Sequence, residues 1–398
     1  MGAFKRLMSY EEALSAVCAA RIPLASRDVA TTQALGCLMA EDVIATADSP
    51  PFDRAAMDGY AVRAADTFAA TAGAPVTLPL VASLAAGDVP SQALHAGEAM
   101  RIMTGAQMPP GADAVVMQEH AVEVAGSVRM TAPVVPLTHV SQRGEDIAAG
   151  ATVLAAGSRL SPHAVALLIS LGVRSCRVWT MPSVAVVTTG DELVAFGDEV
   201  PAGKIIDSNG PMLSAILGRC GCPVTYRAHA HDSPDEITAA LAAARAAADI
   251  VLVTGGSSFG ERDYAQRLVA GLDIHGVAIK PGKPFGFAPG PVPVFLLSGY
   301  PVAAFVQIYL FVIPYLEALT GATILSRVTL PLAEGVSTSL GRAEVVRASV
   351  RDGTVVPLRR SGSSRLTSLA WAEGYVLSSP LREGMGEGDK YLFTSFLE

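Results

Sequence analysis

A chain of 398 residues is longer than one hydrophobic core usually organises, which excludes a simple single-domain architecture and leads us to expect several domains. Hydrophobic residues make up 51% and charged ones 17%, enough for several cores and a composition that invites a membrane reading. Lys and Arg number 29 against 37 Asp and Glu, a net charge of −8 that excludes long-range attraction to nucleic acid or an anionic membrane, so an anionic ligand must meet a local basic site.

The opening MGAFKRLMSYEEA turns acidic before any apolar core of secretory length, and Arg6 spoils a myristoylation motif. After Ser9, residues 9–20 carry apolar side chains at helical spacing, with Glu11 and Glu12 in the first turn. From about Ser49 to Val140 short β-branched runs (PVTLPLVASL, AVVMQEHAVEV) are cut by Gly and Pro, predicting a small β domain. A helix is expected over Pro162–Leu171, capped by Ser161 and closed by Gly172, so the β region reads as an insertion into a helical domain.

From about Pro182, VAVV, GPMLSAILGRCG, VTYRAHA, PDEITAALAAARAAAD and IVLV alternate strand and helix, the pattern of a parallel sheet. Ser233, Pro234 and Glu236 predict a helix start with a capping box. Residues 284–316 lack any charged side chain, but Gly286, Gly290, Pro291, Pro293, Gly299, Pro301, Gln307 and Pro314 interrupt them, which predicts a buried strand, a turn and a helix. The runs EVVRASV, TVVPL, GYVLS and KYLFTSF predict a separate carboxy-terminal β domain. Five scattered cysteines give no disulfide framework or zinc spacing, which fits a cytoplasmic protein; Cys220 and Cys222, like His229 and His231, are read as packing residues.

Ligands of a doubly wound sheet bind where strands end, because backbone N–H groups converge there unpaired. Three strand ends are loaded: Thr188, Thr189, Gly190, Asp191 and Glu192; Gly255, Gly256, Ser257 and Ser258, with Asp263 beyond; and SGYP around Pro301. Each Gly-rich turn alone is better read as a plain strand-to-helix connection, but three in one sheet favour a ligand site. Glu192, Asp263 and Asp232 offer oxygen ligands for Mg²⁺ beside phosphates, with helix capping the competing reading, above all for Asp232. In IKPGKPF, Pro281, Gly282 and Pro284 hold Lys280 and Lys283 on one stiff turn, a solvated loop in isolation and an anion site beside a phosphate nest. Asp53, Asp58 and Thr104 lie in ordinary turns. Arg359, Arg360, Arg365 and Ser361, Ser363, Ser364 and Ser368 could hold an oxyanion or line a polar hairpin.

Taken together, PPFDRAAMDGYAVR, RIMTGAQMPPGADAVVMQE, VAVVTTGDEL, KIIDSN, GGSSFGERDY and IKPGKPF resemble, in order, the signature segments of the MoeA family of molybdenum insertases and the gephyrin E domain, from residue 9 to the end. The resemblance implies an elongated helical domain I (1–48 and 141–180), an inserted β domain II (49–140), a MogA-like doubly wound molybdopterin-binding α/β domain III (181–324) and a C-terminal β-barrel-like domain IV (325–398). It also implies a homodimer with its cleft between subunits, adenylated molybdopterin and molybdate as substrates, and Mg²⁺-dependent AMP release. Asp58, Thr104, Asp146 and Glu192 would line the cleft, Asp232 and Asp263 would join Glu192 near the metal and pyrophosphate, and Lys280, Lys283, Arg347 and Ser363 would hold molybdate. A MogA-like adenylyltransferase or an apo-molybdoenzyme would be the protein partner.

Two segments depart from the family pattern: SGYPVA replaces PGNPVS, putting the Tyr300 phenol in place of an amide, and SSFG replaces VSVG, adding Phe259. Either retunes the substrate or marks an inactive paralogue. Rival readings are a receptor-clustering scaffold of the gephyrin type, a MogA-like adenylyltransferase, and an insertase specialised for tungstate or for one molybdoenzyme.

Overall fold

Successive residues of a strand point to opposite faces of its sheet, so a strand buried on both faces must be apolar throughout. Val184–Thr189 is such a strand: Val184 and Val186 join one hydrophobic cluster, Ala185 and Val187 a second on the opposite face. The computed structural model describes residues 7–255, 267–358 and 365–397. It divides into two compact units, one of Met1–Glu41, Ala156–Ser161 and Ser175–Glu398, the other of Asp42–Ala155 and Pro162–Arg174.

In the first unit, Val224–Ala230, Val184–Thr189, Ile250–Thr254 and Val294–Leu297 lie side by side in that order, all parallel. Gly286–Ala288 and Ile274–His275 continue the sheet antiparallel, so it is mixed. The helix Asn209–Cys220 packs on one face through Leu213, Ile216 and Leu217, and Pro234–Ala247 on the other through Ile237, Leu241 and Ala244. Helices on both faces make the sheet doubly wound.

The uncharged stretch forms two strands, Gly286–Ala288 and Val294–Leu297, then a turn and the expected helix, one strand more than expected because Gly290, Pro291 and Pro293 fold the run into an antiparallel pair. Residues Pro301–Thr320 are long and apolar enough to cross a membrane, but Ala304, Ile308, Phe311, Tyr315 and Leu316 are buried in the sheet's own core. Ile308–Val312 forms one wider turn just before Pro314, whose nitrogen cannot donate to Leu310 and whose ring would crowd that carbonyl in a regular helix. The helix Tyr10–Ala19, closed at its start by a Ser9–Glu12 capping box, packs Ala13 and Val17 into the same core.

The remainder of this unit carries more strand than its helical periodicity suggests, because SRDVA and SCRVW are short alternating runs. Ser26–Ala30 pairs antiparallel with Ser175–Trp179. The C-terminal runs form one mainly antiparallel sheet of Arg327–Pro331, Ala343–Arg351, Thr354–Pro357, Gly374–Leu377 and Lys390–Ser395. Ile279–Lys280 joins its edge, pairing parallel with Ala343–Glu344. Leu332, directly after Arg327–Pro331, bridges to Val355, and Ala333 donates its N–H to the Val355 carbonyl at 2.8 Å, so the two ends of this sheet meet and its strands curl back on themselves.

In the second unit a six-stranded sheet runs Ala114–Met117, Gly59–Val62, Ala99–Ile102, Val76–Leu84, Ser127–Met130 and Ala121–Val124. Ala61, Met100 and Val115 fill one face, and Tyr60, Val62 and Val116 the other. The helix Pro162–Ser170 starts directly after Ser161, and Gly172 donates its N–H to Ile169 beyond its end.

Candidate active site

Because three neighbouring strands of the sheet run parallel, their carboxyl ends meet. Gly255, at the end of Ile250–Thr254, has φ +91° and lies so close to Thr189 that a Cβ there would sit 2.2 Å from the Thr189 carbonyl oxygen. Only glycine lets the two turns approach like this. On its other side, a Cβ on Gly299 would come within 3.3 Å of the Gly255 Cα. Thr188 donates its hydroxyl to Asp207 Oδ2 at 3.1 Å, and Asn209 Nδ2 reaches the Gly299 carbonyl at 2.8 Å. Among the described residues, the buried Thr189 Oγ1 and Asn209 Oδ1 have no hydrogen-bond partner, as expected of groups at a polar ligand edge. Gly256, Ser257, Ser258 and Asp263 lie outside the described residues.

Beside the third strand end, Lys280–Pro284 is clamped by one buried side chain. Gln307 Oε1 accepts the Ser298 N–H at 2.7 Å, and its Nε2 donates to the carbonyls of Gly282 at 2.7 Å and Pro284 at 2.9 Å. Gly282, at φ +105°, leaves room for it, since a Cβ would sit 3.1 Å from Gln307 Cγ. This tether between the KPGK and SGYP turns escaped the sequence reading; its one signal is a lone amide in an otherwise uncharged apolar helix.

Both turns border a cavity of about 850 Å³ whose far wall is the C-terminal sheet. Lys280, Lys283, Arg342 and Arg347 line it, against Glu334 and Glu344. Arg347 is buried, and desolvation pushes its pKa down; an arginine remains charged regardless. Lys280 is not a bare cation: its Nζ lies 2.9 Å from Glu344 Oε2. Burial, the largest influence on Glu344, works to raise its pKa, but hydrogen bonds from Lys280 and Ser339 outweigh it and hold the carboxyl below the usual range. Tyr300 is 61% exposed at the rim and Pro301 begins the helix behind it. Ser363 falls outside the described residues, as do Arg359, Arg360, Ser361 and Ser364.

A second cavity, of about 780 Å³, opens over the ends of Val184–Thr189 and Val224–Ala230 and is lined by Thr188, Asp207, Arg227, His229, His231 and Phe196. His229 and His231 are exposed rather than packed in the core. His229 Nε2 lies 2.8 Å from the Gly190 carbonyl and His231 Nδ1 3.3 Å from Asp191 Oδ1. The Asp232 N–H donates to Asp191 at 3.1 Å, and this bond, with His231 nearby, depresses the Asp191 pKa. The expected capping box at Pro234 is absent, because Glu236 turns back to accept the His231 N–H at 3.0 Å instead of closing on Ser233. Glu192 is exposed and folds over Gly190. Among the described residues no three His, Cys, Asp or Glu side chains cluster as a metal site. Burial pushes the Cys220 thiol up to about 12 and Cys222 up as well, in keeping with their expected role as packing residues.

In the second unit, Gly59 pairs with Ile102, which brings together the chain before one strand and after the other. There the Thr104 N–H and hydroxyl both donate to Asp58 Oδ1, at 2.7 and 2.6 Å, and lower the Asp58 pKa, the hydroxyl most. Asp146 is exposed, its backbone N–H bound to Ser49. Asp53 accepts the Arg143 N–H at 2.7 Å.

Family models match almost end to end: the MoeA N-terminal region (domain I and II) over residues 8–172, a probable molybdopterin binding domain over 185–318, and the MoeA C-terminal region (domain IV) over 329–396. A Methanocaldococcus jannaschii protein named for molybdopterin biosynthesis is 38% identical over 91% of this chain and 90% of its own. A molybdopterin molybdenumtransferase of Staphylococcus epidermidis is 34% identical over 79% of this chain and 76% of its own. The crystal structure of a MoeA protein of Pyrococcus horikoshii superposes with a TM-score of 0.89 at 32% identity, covering 98% of this chain and all of that one. With three successive models matched in order and one fold shared along the whole length, the chain belongs to the MoeA family.

Proposed function

We propose that this chain is a molybdopterin molybdenumtransferase that inserts molybdate into adenylated molybdopterin and releases AMP. The observation that carries the reading is the cavity at the carboxyl edge of the sheet, where four cations face two carboxylates in a protein of net charge −8. Cations gathered against the overall charge favour a small oxyanion there. The second cavity lies two strands away, with Gly255 between the two. A long anion with a dithiolene at one end and a nucleotide at the other suits that spacing, its phosphates against the N–H groups around Gly190 and Gly255.

In this reading Lys280, Lys283 and Arg347 orient molybdate, with Ser363 as a further ligand. The chain works by positioning and electrostatics and supplies no nucleophile of its own: an oxygen of water or of molybdate attacks the anhydride phosphorus, the bond to AMP breaks, and the cations stabilise the charge that builds on the oxygens. Thr188 and the strand-end amides orient the adenylated substrate. Of the proposed Mg²⁺ ligands, Glu192 and Asp232 lie among the described residues, and Asp263 completes the proposed set. Mg²⁺, when bound, neutralises charge on the phosphoryl oxygens. Asp58, Thr104 and Asp146 keep the substrate-lining roles that the family resemblance gives them. A homodimer, a cytoplasmic location and delivery to an apo-molybdoenzyme complete the proposal.

Purified protein mixed with adenylated molybdopterin, Mg²⁺ and molybdate should release AMP and reconstitute an apo-molybdoenzyme. Folded protein that gives neither AMP release nor reconstitution would refute the function. Asp263→Asn should slow Mg²⁺-dependent AMP release at least tenfold; unchanged release would remove the metal role. The exposed Tyr300 phenol at the pocket rim favours one second reading, an altered choice of metal oxyanion. AMP release with tungstate but no reconstitution with molybdate would support it.

A further inference from the structure

The lysine that the KPGK turn presents to the large cavity already has a partner. Ile279–Lys280 pairs parallel with Ala343–Glu344, so the sheet register itself sets Lys280 opposite Glu344. Lys280 Nζ then reaches Glu344 Oε2 at 2.9 Å. The other carboxylate oxygen accepts the Ser339 N–H at 2.9 Å and lies 3.7 Å from Arg342 Nε. Glu344's own N–H donates to Ser378 Oγ at 2.9 Å. The carboxylate is therefore fixed from several sides, its side chain only 11% exposed, whereas the flexible Lys280 stem is 51% exposed. The mobile member of the pair is the lysine.

We infer that Glu344 is the resident counter-ion of the oxyanion pocket: it holds Lys280 until substrate enters, competes with the incoming anion for that cation, and so sets the pocket's affinity. The inference rests on the reading of this cavity as an oxyanion site. An entering dianion must share Lys280 with Glu344 or draw it away, and it is repelled by the fixed carboxylate at short range, where screening by salt is weak. Removing the Glu344 charge eliminates both costs. A residue that merely supported the fold would, when altered, leave anion affinity unchanged or lower it; a competing counter-ion raises it.

The test is tungstate binding to the full-length protein by calorimetry, comparing wild type, Glu344→Gln, Lys283→Ala, Lys280→Met and the Glu344→Gln, Lys280→Met double variant. Glu344→Gln should bind at least tenfold tighter than wild type. Lys280→Met should weaken binding far more in the Glu344→Gln background than in wild type, because only there is the lysine wholly available. Equal or weaker binding by folded Glu344→Gln overturns the inference while leaving the oxyanion pocket standing, provided Lys283→Ala still weakens wild-type binding. No saturable binding by wild type overturns both. Should Glu344→Gln not fold, Glu344→Asp, whose carboxylate stops one methylene short of Lys280, is judged in the same way: several-fold tighter binding supports the inference, and unchanged or weaker binding overturns it.

Discussion

Asp58 and Thr104 show what a single contact adds to a motif. Each sits in an ordinary-looking turn, and nothing in MDGY or MTGA says that one oxygen of the aspartate takes both the N–H and the hydroxyl of the threonine. The pairing follows from strand register across 46 residues, which local patterns do not encode. Thr104→Ala should raise the Asp58 pKa toward the ordinary aspartate value, read from the side-chain carboxyl shift in an NMR titration; no movement would mean the contact is absent in solution. Since the folded-state value is depressed, the contact stabilises the fold above the unfolded aspartate pKa, and that contribution fades as pH falls through the folded value. Acid unfolding of Thr104→Ala should accordingly differ from wild type near neutral pH and converge with it at low pH. Lys280 and Lys283 were legible as a pair on a stiff turn, but the Glu344 partner was not, because it lies 64 residues away on a strand whose pairing with Ile279–Lys280 no local pattern encodes.

Among the elements, the doubly wound sheet was the most legible, because continuous apolar strands alternating with Ala- and Leu-faced helices admit few other arrangements. The ends of elements were less so. Glu236 had the spacing of a capping box yet accepts the His231 N–H instead. Gln307 was named only as an interruption of an apolar run, but it ties together two turns of the candidate site. Gln307→Leu would fit the volume and strand three backbone groups, at roughly 1–3 kcal/mol for each left unsatisfied. Urea unfolding should therefore show a loss of about 3–9 kcal/mol, and a loss under about 1 would mean that water or another side chain substitutes for it. Glu317 plays a comparable part at the other end of the helix: it accepts the N–H groups of Ile324 and Leu325 and pairs with Arg327 at 2.6 Å, with its side chain 14% exposed. Glu317→Ala should cost about 3 kcal/mol by leaving those amides and a half-buried guanidinium unpaired, as equilibrium unfolding would show.

On the scale of the molecule, six sequence segments were enough to indicate the family, and the matched regions bear that out. They did not show that the C-terminal sheet recruits Ile279–Lys280 as an edge strand and thereby makes one wall of the cationic cavity. The central claim is that this cavity, built from the KPGK turn and the C-terminal sheet, receives the metal oxyanion. Crystals soaked in tungstate and measured at the tungsten absorption edge test it most directly. The account predicts an anomalous peak within the cavity, in hydrogen-bonding reach of Lys283 and Arg347. A peak elsewhere on the molecule, with that cavity empty at saturating tungstate, would contradict it.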